Sequence, residues 1–129
     1  MSTQHTFGKN ERLKSSLAIQ NLLKNGKTMS IFPLKIYWDL STDPHQKYPA
    51  RMAVSVPRRK IRKAVDRNRM KRLLRESYRQ NKNIIYEPLC EKGLAIALVI
   101  LFLQDELLSF DLLNPVMRQL LHKLAAKLN

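Results

Sequence analysis

Residues 64–76 read AVDRNRMKRLLRE and give the clearest structural signal in this chain of 129 residues. An α-helix turns by about 100° per residue, so on a helical projection Met70 and Leu74 fall on the side opposite Arg72. Apolar residues on one face and cations on the other are typical of an amphipathic helix that packs against a sheet. The pattern predicts a helix from about Lys63 to Lys82, with a row of guanidinium groups facing outward at about one turn, or about 5.4 Å, of spacing.

This helix lies in the part of the chain that carries most of the charge. Residues 58–82 hold 12 Lys or Arg and only 2 Asp or Glu, a net +10 out of the formal +14 of the whole chain. Such a concentration of one sign attracts polyanions and favours their binding through the release of counterions, so nucleic acid is the first candidate partner. The alternative is a solvated face kept for solubility, although such faces normally mix both signs.

The residue types in this segment suit RNA phosphates. A guanidinium group presents paired donors to phosphate oxygens and keeps its charge near neutral pH. The link before the helix adds a second cationic cluster near the helix N-terminus, where backbone N–H groups also favour anions. The amide of Asn68 suits either a base edge or 2′-hydroxyl, or a hydrogen bond that ties the helix to a neighbouring loop. The candidate RNA-binding residues are Arg58, Arg59, Lys60, Lys63, Arg67, Asn68, Arg69, Lys71, Arg72, Arg75 and Arg79.

The N-terminal part of the chain predicts one helix followed by strands. Residues 12–25 are typical of a short amphipathic helix, with Ser15 or Ser16 as the N-cap. Gly26 then supplies a C-cap with a left-handed backbone. The aromatic and β-branched residues 31–40 predict a strand.

The strand at residues 31–40 is expected to form a hairpin with a second strand at 51–56, through a long polar loop. The apolar run 94–103 predicts a strand at the centre of the sheet. A C-terminal amphipathic helix follows, and Pro115 lies in its first turn or kinks it. The order is helix, two or three strands, helix, strand, helix, which predicts an α+β fold: a two-layer α/β sandwich with the order α-β-β-β-α-β-α.

The composition gives no support for a protein-borne active site. Gly8, Gly26 and Gly93 are the only glycines, and they lie too far apart for a dinucleotide fingerprint or a P-loop. Cys90 is a single cysteine and cannot form an internal disulfide. The His, Ser, Asp and Glu residues show no spacing for a nucleophile, an acid–base pair or a metal site. We expect no catalytic residues and neither metal nor cofactor bound by the protein itself.

The length predicts one RNA-binding domain over residues 1–129, with 1–8 and 128–129 as disordered tails. The N-terminus lacks the apolar stretch of a secretory signal. The longest apolar run, residues 94–103, has ten residues, below the roughly 18 that a membrane span needs. We expect a cytoplasmic protein with no membrane partner.

The stretch quoted first resembles the signature helix of the protein subunit of bacterial ribonuclease P. Residues 54–59, VSVPRR, are similar to the strand end and basic turn of that family, and residues 12–14, RLK, with the helix that ends at Gly26, resemble its opening helix. The resemblance implies an accessory subunit of a ribonucleoprotein endoribonuclease that removes the 5′ leader of precursor tRNA. The RNA subunit and its Mg²⁺ would perform the hydrolysis. The resemblance also implies a small mixed sheet with a left-handed β-α-β crossover, as in domain 2 of ribosomal protein S5.

The resemblance further assigns residues to the two RNA partners, the ribonuclease P RNA and precursor tRNA. The residues that would face the catalytic RNA are Arg67, Asn68, Arg69, Lys71, Arg72 and Arg75. A cleft between the first helix and the sheet would hold the single-stranded leader, and its implied residues are Arg12, Ile19, Leu23, Tyr37 and Ser55. Phe32, Tyr37 and Trp38 either form a stacking surface for bases or belong to the sheet core.

Other functions compete with this interpretation. A ribosomal or RNA-architectural protein would use the same cationic helix to bind RNA, with no role in processing. A helix-turn-helix DNA-binding protein is disfavoured because no short turn joins two helices at the basic segment, so we expect no DNA partner. A membrane-active helix is disfavoured because the apolar face is narrow and the core needs it.

Overall fold

The computed structural model describes residues 7–128. Its elements are a 3-10 helix, η1 (Lys9–Glu11), the helices α1 (Ser16–Asn25), α2 (Ala64–Asn81), α3 (Asn83–Lys92) and α4 (Phe110–Lys127), and the strands β1 (Lys27–Ile31), β2 (Leu34–Leu40), β3 (Ala50–Ser55) and β4 (Ile96–Phe102). The basic helix α2 is confirmed to within one residue at each end. No helix within residues 7–128 is both long and apolar enough to cross a membrane.

The four strands form one mixed sheet in the order β1-β2-β4-β3. β2 is antiparallel to both β1 and β4, whereas β3 is parallel to β4 and is joined to it through α2 and α3. The predicted hairpin between residues 31–40 and 51–56 is therefore wrong, because β4 lies between β2 and β3. The predicted central position of β4 is confirmed, because it pairs with β2 on one edge and with β3 on the other. Its apolar side chains are covered on both faces of the sheet.

Residues 31–40 also do not form a single strand. The chain turns at Phe32 and Pro33, which are joined by a cis peptide bond, and β1 and β2 pair on either side of this turn. Phe32 is 68% exposed at the turn, whereas Trp38 is buried in the core. Tyr37 is half-buried on the opposite face of the sheet. The three aromatic residues are therefore separated, and only Trp38 belongs to the main core.

One face of the sheet packs against α2, α3 and α4 and forms the main core. Alternate residues of β2 are buried, beginning with Leu34 and Ile36, as expected for a strand with one face on a core. The fully buried helix residues that meet this face include Met70, Leu74, Leu89, Met117 and Leu120. This confirms the two-layer α/β arrangement, to which α1 adds a short helix on the opposite face of the sheet.

The sequence patterns do not predict α3. It follows α2 after the single residue Lys82, which itself keeps a helical backbone. The expectation that no short link joins two helices at the basic segment is therefore wrong. Pro88 lies inside α3, where a proline removes one backbone donor and obscures the helical pattern of Ile85 and Leu89. α3 ends at Gly93, whose φ of 64° is in the left-handed region.

Gly26 ends α1 for a different reason than predicted. Its φ of −69° is not left-handed, so the expected left-handed C-cap is wrong. A Cβ at this position would lie 2.6 Å from the carbonyl oxygen of Leu22, which no side chain tolerates. Glycine is therefore required here because the chain passes close to the end of α1 as it enters β1. The N-cap of α1 is Ser15, whose side chain accepts a hydrogen bond from the backbone N–H of Ala18.

The ends of the described region are packed. The Phe7 ring meets Tyr78 edge-on with centroids 5.7 Å apart, and Leu128 is buried. The rest of the predicted tails, residues 1–6 and 129, lies outside the described residues. In α4 the Ser109 side chain caps the helix, so Pro115 is its sixth residue and lies beyond the first turn.

A buried ion pair joins the N-terminal segment to the helical layer. The side chains of Glu11 and Lys82 are 2% and 3% exposed, and Lys82 Nζ lies 2.6 Å from Glu11 Oε2. The same carboxylate accepts hydrogen bonds from the Tyr86 hydroxyl and from the backbone N–H of Gly8. Burial raises the pKa of Tyr86, and Glu11 adds to the rise, so the phenol keeps its proton and donates it. Glu11 thereby fixes η1 against α2 and α3.

We expect Lys82→Met to lower the free energy of unfolding by about 3–5 kcal/mol, because it leaves a buried carboxylate without its counter-charge. Urea denaturation followed by circular dichroism measures the change. The double variant Glu11→Leu/Lys82→Met buries no unpaired charge and should be more stable than Lys82→Met. A Lys82→Met protein as stable as one carrying Lys24→Met, an exposed lysine on α1, would contradict the prediction.

Candidate nucleic-acid interface

α2 presents cations on one side and apolar residues on the other, as its sequence predicts. Asn68, Arg69 and Arg72 are exposed, whereas Met70 and Leu74 are fully buried. The other cations of this side, Lys71, Arg75 and Arg79, are half-buried. The cationic side of α2 is therefore open to a large polyanion along the helix.

The four predicted cations before α2 lie in a turn that we call the basic turn, residues 57–63. Arg58, Arg59 and Lys63 are exposed and Lys60 is half-buried, while Ile61 is buried and anchors the turn. Lys63 is the N-cap residue of α2, and its side chain makes no capping hydrogen bond. Exposed cations beside a helix N-terminus without a side-chain cap are suited to anion binding.

Arg67 holds the basic turn in place. Its Nη1 donates to the carbonyl oxygens of Ile61 at 3.1 Å and Arg62 at 2.7 Å. The side chain of the neighbouring Asn68 makes no hydrogen bond within residues 7–128. The hydrogen bonds that tie the helix to the neighbouring loop, one of the two roles considered for Asn68, are thus made by Arg67. The Asn68 amide is exposed to solvent.

The cations in the C-terminal half of α2 are less available. Arg79 donates from Nε and Nη2 to the two carboxylate oxygens of Glu76, at 2.7 Å each, and this pairing lowers the pKa of Glu76 to about 2. Burial lowers the pKa of Arg75, and the nearby Arg12 contributes. A hollow of about 300 Å³ is lined by Phe7, Arg12, Arg72, Arg75, Glu76 and Arg79. Four guanidinium groups and one carboxylate at this hollow leave an excess of positive charge that suits a phosphate group.

The leader-binding positions implied by the family resemblance centre on α1. This helix lies on a small apolar cluster of Leu13, Leu22 and Val99, against which Ile19 and Tyr37 pack. Both are half-buried, so they contribute to the packing of α1 on the sheet. α1 therefore covers the middle of this face of the sheet.

The other implied leader-binding residues lie on different sides of α1. Leu23 is 43% exposed and follows Ile19 by one turn, on the same side of the helix. Ser55 is half-buried at the end of β3, two residues beyond Ala53, which packs under α1. Arg12 precedes α1 and lies beside a cleft on the opposite side of the helix. The structure brings Ile19 and Tyr37 to the same helix–sheet junction, with the exposed Leu23 one turn from Ile19 on the same side of the helix, and places Arg12 apart from them.

The cleft beside Arg12 has a volume of about 830 Å³, and we call it the α1 cleft. It lies between η1 and α1 on one side and the end of β2 with the following loop on the other. Among the five implied leader-binding residues, only Arg12 lines it. Three further cations that sequence reasoning missed, Lys9, Lys14 and Arg51, also line it. They come from different elements, so no local pattern in the sequence connects them.

The exposed polar side chains of this interface are suited to binding anions. The exposed polar side chains on α2 and the basic turn carry guanidinium, ammonium and amide groups, which can donate hydrogen bonds to phosphate oxygens. Within residues 7–128, no group of three or more His, Cys, Asp or Glu side chains is placed to hold a metal ion.

Comparison with known proteins identifies a family for this fold and interface. The Ribonuclease P family matches residues 7–125 of the chain. A Ribonuclease P protein component from Porphyromonas gingivalis is 34% identical over 127 residues, which cover 97% of this chain and 92% of that relative. One from Chlorobium phaeobacteroides is 30% identical over 130 residues, covering 93% of this chain and 88% of that relative.

Solved structures show the same fold. The RNase P protein of Staphylococcus aureus superposes with a TM-score of 0.68 at 21% identity, covering 92% of this chain and 98% of that one. The RNase P protein of Thermotoga maritima gives a TM-score of 0.68 at 23% identity, covering 88% of this chain and 96% of that one.

We expect the carboxyl group of Glu76 to titrate near pH 2, and Arg79→Gln to return its midpoint toward the usual 4.5. Because the pKa is lower in the folded than in the unfolded state, the ionised pair stabilises the fold above about pH 4.5 and this contribution is lost as the pH falls toward 2. NMR titration of the side-chain carboxyl carbon measures both midpoints. Arg69→Gln, two turns away, is the control, and an equal shift in both variants would contradict the assignment.

Proposed function

The chain belongs to the family of ribonuclease P protein components, which have a role in the maturation of the 5′ end of tRNA, and we propose that it does so by binding the ribonuclease P RNA through α2 and the basic turn. The observation that carries this proposal is the exposed row of Asn68, Arg69 and Arg72, which continues past the N-terminus of α2 into Arg58 and Arg59. Cations spaced by helical turns on a rigid element can each meet a phosphate of folded RNA.

Within this proposal the protein binds and the RNA subunit catalyses. We assign the hydrolysis to the RNA with its Mg²⁺, and no cofactor to the protein itself. In support, the exposed charged side chains of α2 and the basic turn are guanidinium and ammonium groups, which donate hydrogen bonds to phosphates and do not act as a general base. The proposal places the protein in the cytoplasm, where bacterial transcripts are made.

The second RNA partner in the proposal is precursor tRNA, whose single-stranded leader would lie along α1. Leu23 and the half-buried Ile19 offer apolar surface on one side of this helix, next to Tyr37. Lys35 places its Nζ 4.9 Å from the centre of the Tyr37 ring, which adds a cation beside the aromatic face. Apolar and aromatic groups next to a cation are suited to an unpaired strand of RNA.

A ribosomal or purely architectural role is not favoured, because the family match spans residues 7–125 and the curated relatives are Ribonuclease P protein components over nearly their full lengths. A processing assay tests the proposal directly. The protein is mixed with a bacterial ribonuclease P RNA and a precursor tRNA at a low Mg²⁺ concentration, and cleavage is followed. We expect the protein to raise the cleavage rate, and no cleavage by the protein without RNA. Unchanged cleavage in its presence would contradict the proposal.

We expect Arg72→Ala to weaken binding to the ribonuclease P RNA and to reduce the slope of log K against log salt by roughly 0.7–0.9, the change for one lost phosphate contact. Filter binding over a range of KCl concentrations measures this slope. Lys123→Ala, an exposed cation on α4, should leave the slope unchanged. Equal slopes for Arg72→Ala and the native protein would show that Arg72 faces solvent in the complex.

Glu76→Gln should have the opposite effect, because it removes the carboxylate that pairs with Arg79 at 2.7 Å. We expect tighter RNA binding, since the loss of this negative charge strengthens the attraction of the surrounding guanidinium groups for phosphates. The double variant Glu76→Gln/Arg79→Gln should lose this gain. Weaker binding by Glu76→Gln would contradict the interpretation of the pair.

A further inference from the structure

The α1 cleft lies outside every position that the family resemblance assigns to RNA except Arg12. On α1 it is lined by Leu17, Ala18, Asn21 and the buried Leu22. Because the helix turns by about 100° per residue, the centre of this group lies on the side of α1 opposite Leu23. The sheet agrees with this placement: the cleft contains Arg51 and Ala97, which are paired at one end of the sheet, while Ser55 lies at the other end of β3. α1 therefore separates two distinct surfaces.

The walls of the α1 cleft carry exposed apolar side chains. Leu17 on α1 is 77% exposed and Leu40 at the end of β2 is 50% exposed. A single exposed leucine needs no explanation, but two that line the same concave surface offer an apolar site for a flat ring. Ala97 also lines the cleft, and its small side chain takes up little of the space within it.

The charge of the α1 cleft is divided between its two sides. Lys9, Arg12 and Lys14 lie on the N-terminal side. Neither lysine makes an ion pair with any residue in the described part of the chain. The opposite side carries Asp39 and Asp43, and each is paired with a cation. An anion is therefore attracted to the N-terminal side. On the side of Leu40 both carboxylates are already paired, so that side favours an uncharged group.

The two carboxylates are ionised at neutral pH and oppose any anion on their own side. Hydrogen bonds from the Leu40 backbone N–H and from Lys27 lower the pKa of Asp39. The backbone N–H of His45 and the side chain of Arg51 lower the pKa of Asp43. The ligand must therefore have a defined polarity, with a phosphate at one end and an uncharged ring at the other.

Size and shape restrict the ligand further. A volume of about 830 Å³ lies within the range of pockets that hold small molecules, and it is sufficient for a nucleotide. Paired bases in an RNA helix are stacked and cannot place a ring between the two leucines, whereas an unpaired base can. We propose that the α1 cleft binds one unpaired nucleotide of RNA, with its phosphate at Lys9, Arg12 and Lys14 and its base between Leu17 and Leu40.

This inference rests on the proposed function for the source of the nucleotide, which is either the leader of precursor tRNA or a single-stranded segment of the RNA subunit. Site-directed cross-linking distinguishes the two. Leu17→Cys and Leu23→Cys are each made in a Cys90→Ser background, labelled with a photoreactive azidophenacyl group, and assembled with the ribonuclease P RNA and precursor tRNA. Gln119→Cys on α4, on the other face of the sheet, measures background.

We expect the label at position 17 to cross-link to unpaired nucleotides, at positions different from those reached from position 23. Primer extension on both RNAs shows whether the leader or the RNA subunit supplies them, and either source supports the proposal. Cross-linking at the Gln119 background level, or only to paired nucleotides, would overturn it.

A pair of charge substitutions tests the same site without a label. Leu17→Asp should weaken the affinity of the holoenzyme for precursor tRNA, or of the protein for the RNA subunit, by about five- to tenfold, the loss expected for one base contact. Leu112→Asp is the matched control, since Leu112 is 63% exposed on α4. Equal affinities for both variants would overturn the assignment of the α1 cleft. If the native protein fails to stimulate cleavage, the proposed function itself fails.

Discussion

The buried pair of Glu11 and Lys82 determines where the N-terminal segment lies, and the surfaces around α1 depend on that position. Buried ion pairs often contribute little net stability, but each charge needs its partner once it is removed from water. Glu11 must therefore lie beside Lys82, at the junction of α2 and α3. As a consequence Arg12 lies near Arg75, and the backbone N–H of Leu13 donates to the carbonyl of Met52. The chain then enters α1 across the sheet.

Not all of the positive charge in the basic segment, residues 58–82, is available to a polyanion. Arg67 uses Nη1 to hold two carbonyl oxygens of the basic turn, and Arg79 is paired with Glu76. These contacts order the interface and limit the repulsion among neighbouring cations. The exposed guanidinium groups of Arg58, Arg59, Arg69 and Arg72 remain available to phosphates in the proposed interface. A fold can thus use some of its cations to position the others, which makes the remaining ones more directional.

The sequence predicts the elements whose signal is local. α2 has a helical period of charge and apolarity over its whole length, and the apolar run of β4 is specific enough to indicate a central strand. The pairing of strands depends on long-range contacts, so the insertion of β4 between β2 and β3 is not visible in the sequence. α3 is hidden by Pro88, and the break after α2 consists of one residue with a helical backbone. Gly26 shows the same limit, since its need for glycine arises from a close approach to Leu22 rather than from its own backbone angles.

The interface residues divide in the same way between local and long-range signals. The cations of α2 and the basic turn are recognisable because they are consecutive and share one face of a helix. Lys9, Lys14 and Arg51 are not, since η1, the segment before α1 and β3 meet only in the folded chain.

Arg12 connects the two kinds of surface, because it lines both the hollow beside α2 and the α1 cleft. Phosphate contacts fix the position of an RNA without reading it, whereas contacts with an unpaired base depend on which nucleotide is present. In the proposed complex the row on α2 makes contacts of the first kind and the α1 cleft makes one of the second kind. Among the described residues that line the hollow and the α1 cleft, Arg12 alone is common to both, so in this proposal total affinity and nucleotide preference depend on different residues.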